Sequence, residues 1–84
     1  MNMNKFKAQY NEIKLATIGM SMDDIRKNYS KDITNDVEEY IDMNYKNILV
    51  TFQDINGKAE LTDCFEYYND NGIFLGTNKK EELI

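Results

Sequence analysis

The chain has no histidine, no tryptophan and no proline, and a single cysteine among its 84 residues. Without histidine, the Ser-His-Asp triad and other His-dependent acid–base mechanisms are excluded. Zinc sites built from Cys and His are excluded as well. A lone Cys64 leaves no disulfide framework, which points to a reducing compartment. As a nucleophile it would need a base or a helix dipole to lower its pKa; mid-strand it has neither, and it reads as a small side chain on a sheet face. The four glycines do not cluster, so no phosphate-cradling loop exists. Apolar runs are only a few residues long, far short of a membrane span. The opening Met-Asn-Met-Asn-Lys-Phe-Lys-Ala lacks the apolar stretch of a secretory signal. The expectation is a soluble cytoplasmic protein with no cofactor, no metal and no membrane contact.

A chain of 84 residues makes one domain, 1–84, with one core. Its radius of gyration should be about 12 Å, with about 60–65% of the unfolded surface buried. Six Tyr, four Phe and many Ile supply enough apolar material to fold. Abundant Asn, Lys, Ile and Tyr, all with AT-rich codons, suggest a low-GC genome such as that of a Firmicute, its phage or a mobile element.

The net charge of −5 is unevenly spread. Residues 1–14 sum to +2 and residues 15–31 to +1. Residues 32–42 carry Asp32, Asp36, Glu38, Glu39 and Asp42 with no base, giving −5. Residues 54–70 carry five acids against Lys58, giving −4. Such a domain repels phosphate backbones, so direct nucleic-acid binding is not expected. A partner with a basic surface is attracted instead.

Phe6, Tyr10, Ile13 and Thr17 share one helical face, predicting a helix from Asn4 to Leu15, stopped at Gly19. Ser21 with Asp24 forms a capping signal for a short helix over Met22 to Tyr29. Val37, Tyr40, Ile41 and Tyr45 fit a third helical stripe with Asn35 as its cap. Val37, Ile41 and Met43 also fit a strand; the helix is preferred. Asn56-Gly57 between two apolar runs is the strongest local hairpin signal. Counting outward from that turn, Phe52 meets Leu61, Val50 meets Asp63 and Ile48 meets Phe65. One face is therefore apolar except for Asp63, while Leu49, Thr51 and Gln53 form a mixed face that water can reach. Tyr67 continues the apolar face. Asn69-Asp70-Asn71-Gly72 is a second turn, Ile73-Phe74-Leu75 a third strand, and Thr77 onward a polar tail. The expected fold is α+β, with two or three N-terminal helices (about 4–45) packed on one face of a three-stranded antiparallel meander (about 47–76) and a tail over 77–84.

Few residues suggest chemistry. Aligning Gly72 with the sixth position of a calcium loop puts Tyr67 and Asn78 where carboxylates are required, so a β-turn is the better reading. Glu38 and Glu39 point apart and face no cleft, so a glycosidase pair does not form. No enzyme is expected. Two candidate surfaces remain. One is the acidic block Asp32, Asp36, Glu38, Glu39 and Asp42, whose alternative is a merely solvated face. The other is Tyr68 with Glu66 and Asp70, good interface material if exposed and otherwise an ordinary edge-strand tyrosine.

Ile18-Gly19-Met20-Ser21-Met22-Asp23-Asp24-Ile25-Arg26 resembles the Gly-Met-Ser/Thr opening of the β-lactamase-inhibitor-protein-like family, which includes lipoproteins of outer-membrane assembly machines. Val50-Thr51-Phe52, Asn56-Gly57-Lys58 and Phe65-Glu66-Tyr67-Tyr68 resemble that family's closing hairpin. The likeness spans about Tyr10 to Tyr68. It implies a helix pair on an antiparallel sheet, a strand over 37–45, and protein binding rather than catalysis.

The leading expectation is a non-enzymatic protein-binding module. In its sharpest form it is a phage or mobile-element inhibitor whose acidic block mimics nucleic-acid charge and occupies a basic cleft of a host protein. In general character, though in no motif, it is similar to anti-CRISPR proteins. The alternatives are a winged-helix DNA-binding regulator, with residues 35–45 as recognition helix, and a structural accessory protein that self-associates as a homodimer.

Overall fold

Helix periodicity and capping place the first two elements where the sequence puts them. The computed structural model describes residues 3–78. Helix α1 spans Asn4–Ala16 and buries Phe6, Gln9 and Ile13 along one face. Helix α2, Met22–Asn28, has seven residues, well below the roughly 12–15 that an isolated helix needs to persist. It is held by a capping box, in which the Ser21 hydroxyl accepts from Asp24 N–H and the Asp24 carboxylate accepts from Ser21 N–H, both at 3.1 Å. Met22 and Ile25 anchor its inner face. No helix among the described residues is long and apolar enough to cross a membrane.

Five strands follow: β1 (Ile33–Asp36), β2 (Tyr40–Tyr45), β3 (Ile48–Ile55), β4 (Lys58–Tyr68) and β5 (Phe74–Thr77). They pair antiparallel in chain order. The α+β class stands as expected, but the sheet has five strands where three were expected. The two helices cover one face of it. The core lies between the layers and joins Phe6, Ile13, Met22 and Ile25 to Ile41, Met43, Ile48, Val50, Phe52 and Phe65. Truncating Phe52, which is fully buried, would cost about 3–5 kcal/mol. The surface ion pairs contribute about 0–1 kcal/mol each, so apolar burial carries the fold.

The third helix does not form. Residues 33–45 are a hairpin, and the burial along β2 alternates: Ile41 and Met43 are buried and Tyr45 half-buried, while Tyr40 and Asn44 are exposed. Val37, the first residue of the supposed helical stripe, is exposed beyond the end of β1. A period of two satisfies Ile41, Met43 and Tyr45 together with the β3 partners Phe52, Val50 and Ile48. The helical stripe would have put Met43 outside the buried face.

The β3–β4 register departs from the expected one beyond Leu61. Phe52 pairs with Leu61, but Val50 pairs with Phe65 and Ile48 with Tyr67. A bulge accounts for the change: Thr51 faces the whole of Thr62, Asp63 and Cys64. It takes Asp63 off the core face, where its carboxylate would have sat opposite buried Val50. The freed backbone groups find partners. Tyr10 Oη donates to Thr62 C=O at 2.9 Å, Asn78 Nδ2 donates to Asp63 C=O at 3.0 Å, and Asn78 Oδ1 accepts from Phe65 N–H at 2.6 Å. Asn78 therefore acts as one more rung of the ladder. It was expected in the tail, as was Thr77, which belongs to β5. The rest of that tail, 79–84, lies outside the described residues.

Aromatic rings close the core at the β4–β5 end. Phe6 stacks on Tyr67 with centroids 4.8 Å apart, and Tyr10 on Phe65 at 5.2 Å. The Tyr67 ring lies over Gly76, where a Cβ would stand 3.0 Å from Tyr67 Oη.

Candidate protein-binding surface

The helices cover one sheet face, and the alternation of the strands sends a second set of side chains to the other. Tyr40, Asp42 and Asn44 of β2, Leu49, Thr51 and Gln53 of β3, and Glu66 and Tyr68 of β4 point away from the helices. None of these positions carries Lys or Arg. Asp42 and Glu66 line a common depression of about 250 Å³ with Leu49, Thr51, Cys64 and Thr77. That is below the roughly 300–1,000 Å³ of typical small-ligand pockets, so a surface contact suits it better. A broader open hollow of about 660 Å³ lies between the Lys46-Asn47 and Asn69–Gly72 turns and includes Tyr68 and Asp70.

The expected site residues separate into two groups. Asp42 and Glu66 are half-buried and held by neutral hydroxyls: Thr51 Oγ1 donates to Asp42 at 2.7 Å, and Tyr68 Oη donates to Glu66 at 2.7 Å. The hydrogen bond to Glu66, more than partial burial, raises the Tyr68 pKa above the usual phenol value. Glu38 and Glu39 are exposed in the turn between β1 and β2, and Asp32 is exposed just before β1. Asp32, Glu38, Glu39, Asp42 and Glu66 make no ion pair among the described residues.

Asp36 and Asp70 belong elsewhere. Asp36 pairs with Ile41 on the helix side of the sheet, where Arg26 of α2 grips both its oxygens at 3.0 and 3.2 Å. Asp70 accepts from Asn47 Nδ2 at 2.9 Å and from Lys5 Nζ at 3.2 Å, and these two contacts, Asn47 first, hold its carboxyl below the usual range. The block that lacks a base in sequence therefore has one in space, at Arg26.

Other residues of this surface carried no advance signal. In the sequence Leu49 and Thr51 show only a mixed face, and Phe74 only a strand position. Phe74 is 54% exposed and meets the Tyr68 ring edge to face, with centroids 5.7 Å apart. Counting outward from Asn56-Gly57 with no bulge puts Cys64 opposite Leu49; it sits instead in the bulge, exposed, and Glu66 lies opposite Leu49. Among the described residues no three Cys, Asp or Glu side chains gather as a metal ion would require.

Fold and surface together define an α+β protein with a helix-covered antiparallel sheet and an open face carrying acids and tyrosines. No protein-family model, curated protein or solved structure matches the chain.

Proposed function

We propose that this protein is a non-enzymatic binding module that docks onto a basic surface of another protein. Within that reading it is an inhibitor carried by a phage or mobile element, acting against a nucleic-acid-handling host protein in the manner of anti-CRISPR proteins. The observation that carries the reading is the set of acids without cation partners among the described residues: Glu38 and Glu39 at a hairpin tip, Asp42 and Glu66 on the open face. Acids of one sign on an uncovered sheet attract a basic partner over the Debye length and repel DNA. The resemblance to the β-lactamase-inhibitor-protein-like family supports the same class, since it calls for a helix pair on a sheet and a strand at 37–45, where β2 lies. The winged-helix reading loses ground, because the segment weighed as its recognition helix is a β-hairpin.

The test is capture from a low-GC bacterial lysate on immobilised wild type and on a Glu38→Lys/Glu39→Lys/Asp42→Lys variant, with mass spectrometry of low-salt and high-salt eluates. One basic, nucleic-acid-handling protein should bind the wild type, leave at high salt and be lost with the variant. Retention that ignores both salt and charge reversal would end the charge-based reading. Retention of DNA instead would favour the regulator, and a concentration-dependent dimer in sedimentation the self-associating accessory protein.

A further inference from the structure

Resting on the basic-partner reading, we propose that the open sheet face receives an extended, arginine-bearing segment of that partner and selects arginine over lysine. Asp42 and Glu66 are each oriented by one hydroxyl donor, which leaves carboxylate lone pairs directed at whatever covers the face. A guanidinium fork fills such lone pairs in pairs, whereas an ammonium acts as a point charge. Beside Glu66 stands the Tyr68–Phe74 ring pair, with Phe74 more than half exposed. Aromatic surfaces stack the flat, weakly hydrated guanidinium better than the compact ammonium. Half-buried Leu49 lies between the two acids, opposite Glu66, and offers an apolar floor for an arginine stem.

Spacing sets the length of the occupant. Strand β3 separates β2 from β4, and Asp42 faces Thr51 while Glu66 faces Leu49 two residues away, so the acids stand about 12 Å apart, too far for one guanidinium. An extended segment repeats its same-side residues about every 7 Å, so two arginines on one strand reach both acids. A second copy of this chain is the poorer occupant, because the same acids would meet themselves.

Two labelled synthetic peptides decide the matter by fluorescence anisotropy: an alternating Gly-Arg heptapeptide and its Gly-Lys counterpart. The arginine peptide should bind at least tenfold more tightly, and Asp42→Asn/Glu66→Gln should erase the difference while leaving the far-UV circular dichroism unchanged. Equal, salt-sensitive binding of both peptides would overturn arginine selection and leave the basic-partner reading intact. Absence of binding by either peptide overturns it too; if partner capture also ignores the Glu38, Glu39 and Asp42 reversal, the reading beneath it falls as well. Dimerisation strengthened by Asp42→Asn/Glu66→Gln would place a second copy on the face instead.

Discussion

The turns at the two ends of β3 each use two residues, and they are built by opposite means. Asn56-Gly57 is set by its own residues, although Gly57 C=O also accepts from Met22 N–H at 3.2 Å. Both residues have positive φ, +55° and +88°, as a type I′ turn requires, and Asp54, three residues before Gly57, accepts from Gly57 N–H at 2.7 Å. Lys46-Asn47 has no glycine, and Lys46 is forced to φ +54°, a conformation costing an L-residue about 1–2 kcal/mol. What holds it comes from far along the chain. Buried Gln9 of α1 accepts from Asn47 N–H at 3.0 Å and donates to Asn47 Oδ1 at 3.1 Å. Lys46 reaches Glu12 at 2.8 Å, and Asn47 C=O accepts from Tyr68 N–H at 2.8 Å. One turn is specified by its own residues; the other exists because helix and sheet are already docked.

The strongest way to break this contrast is Gln9→Ala. It should cost about 2–3 kcal/mol, since it removes two hydrogen bonds and leaves half-buried polar groups of Asn47 without their partner. In a domain of this size that is a fall of about 10–20 °C in the thermal midpoint. A loss below about 1 kcal/mol would mean that Gln9 does not hold the turn.

Exchanging the turn chemistries comes next. Gly57→Ala should destabilise by about 1–2 kcal/mol, because alanine resists φ +88°. Lys46→Gly should stabilise by about 0.5–1 kcal/mol, the relief of φ +54° exceeding the loss of an exposed ion pair and the entropy of a freer unfolded chain. Urea midpoints of the two variants should move in opposite directions. Movement in the same direction would show that the turns are not built differently.

The smallest effect is electrostatic and belongs to the Lys46-Asn47 end alone. The Glu12 carboxyl is held below its usual range, first by Lys46 and then by Tyr45, and that of Asp70 first by Asn47 and then by Lys5. A carboxylate depressed in the folded state stabilises above its unfolded pKa, and that stabilisation disappears as pH falls through the folded value. Stability from this end is therefore present at neutral pH and lost on acidification below the ordinary carboxylate range. The denaturation midpoints of wild type and Asp70→Asn, separated at pH 7, should converge as the pH is lowered; a constant gap would show that ionisation of Asp70 is not what contributes.

The same contrast explains which parts of the molecule were legible in the sequence. Helix α2 announced itself through Ser21 and Asp24, and the β3–β4 hairpin through Asn56-Gly57, because each signal lies within a few residues of the structure it makes. The β1–β2–β3 turns had no such signal. Without a glycine at 46 or 47, and with Val37, Tyr40 and Ile41 at helical spacing, residues 35–45 imitated a helix until β3 was there to pair with them. Asp63 was the one visible flaw in the expected register, and the bulge forms around it. At the candidate surface the acids were legible one by one, but their neutralisation was not. Arg26 lies 10 residues from Asp36 and Lys5 lies 65 from Asp70, and no local pattern links either pair. Asp42, Glu66 and Tyr68 come together only because consecutive strands bring them to one face.

The bulge in β4 has a consequence for how this chain tolerates changes of length. The strand carries two residues more than its partner between Leu61 and Phe65, three facing one, and an even surplus leaves the inward and outward sequence of side chains undisturbed. Losing two residues there returns β4 to an unbroken ladder with Phe65 and Tyr67 still facing the helices. Losing one leaves two residues facing Thr51, the ordinary β-bulge, which still seats Phe65 opposite Val50. The bulge is thus the place where β4 can shorten by one or two residues while Phe65 keeps its seat opposite Val50 and the outer face keeps its residues.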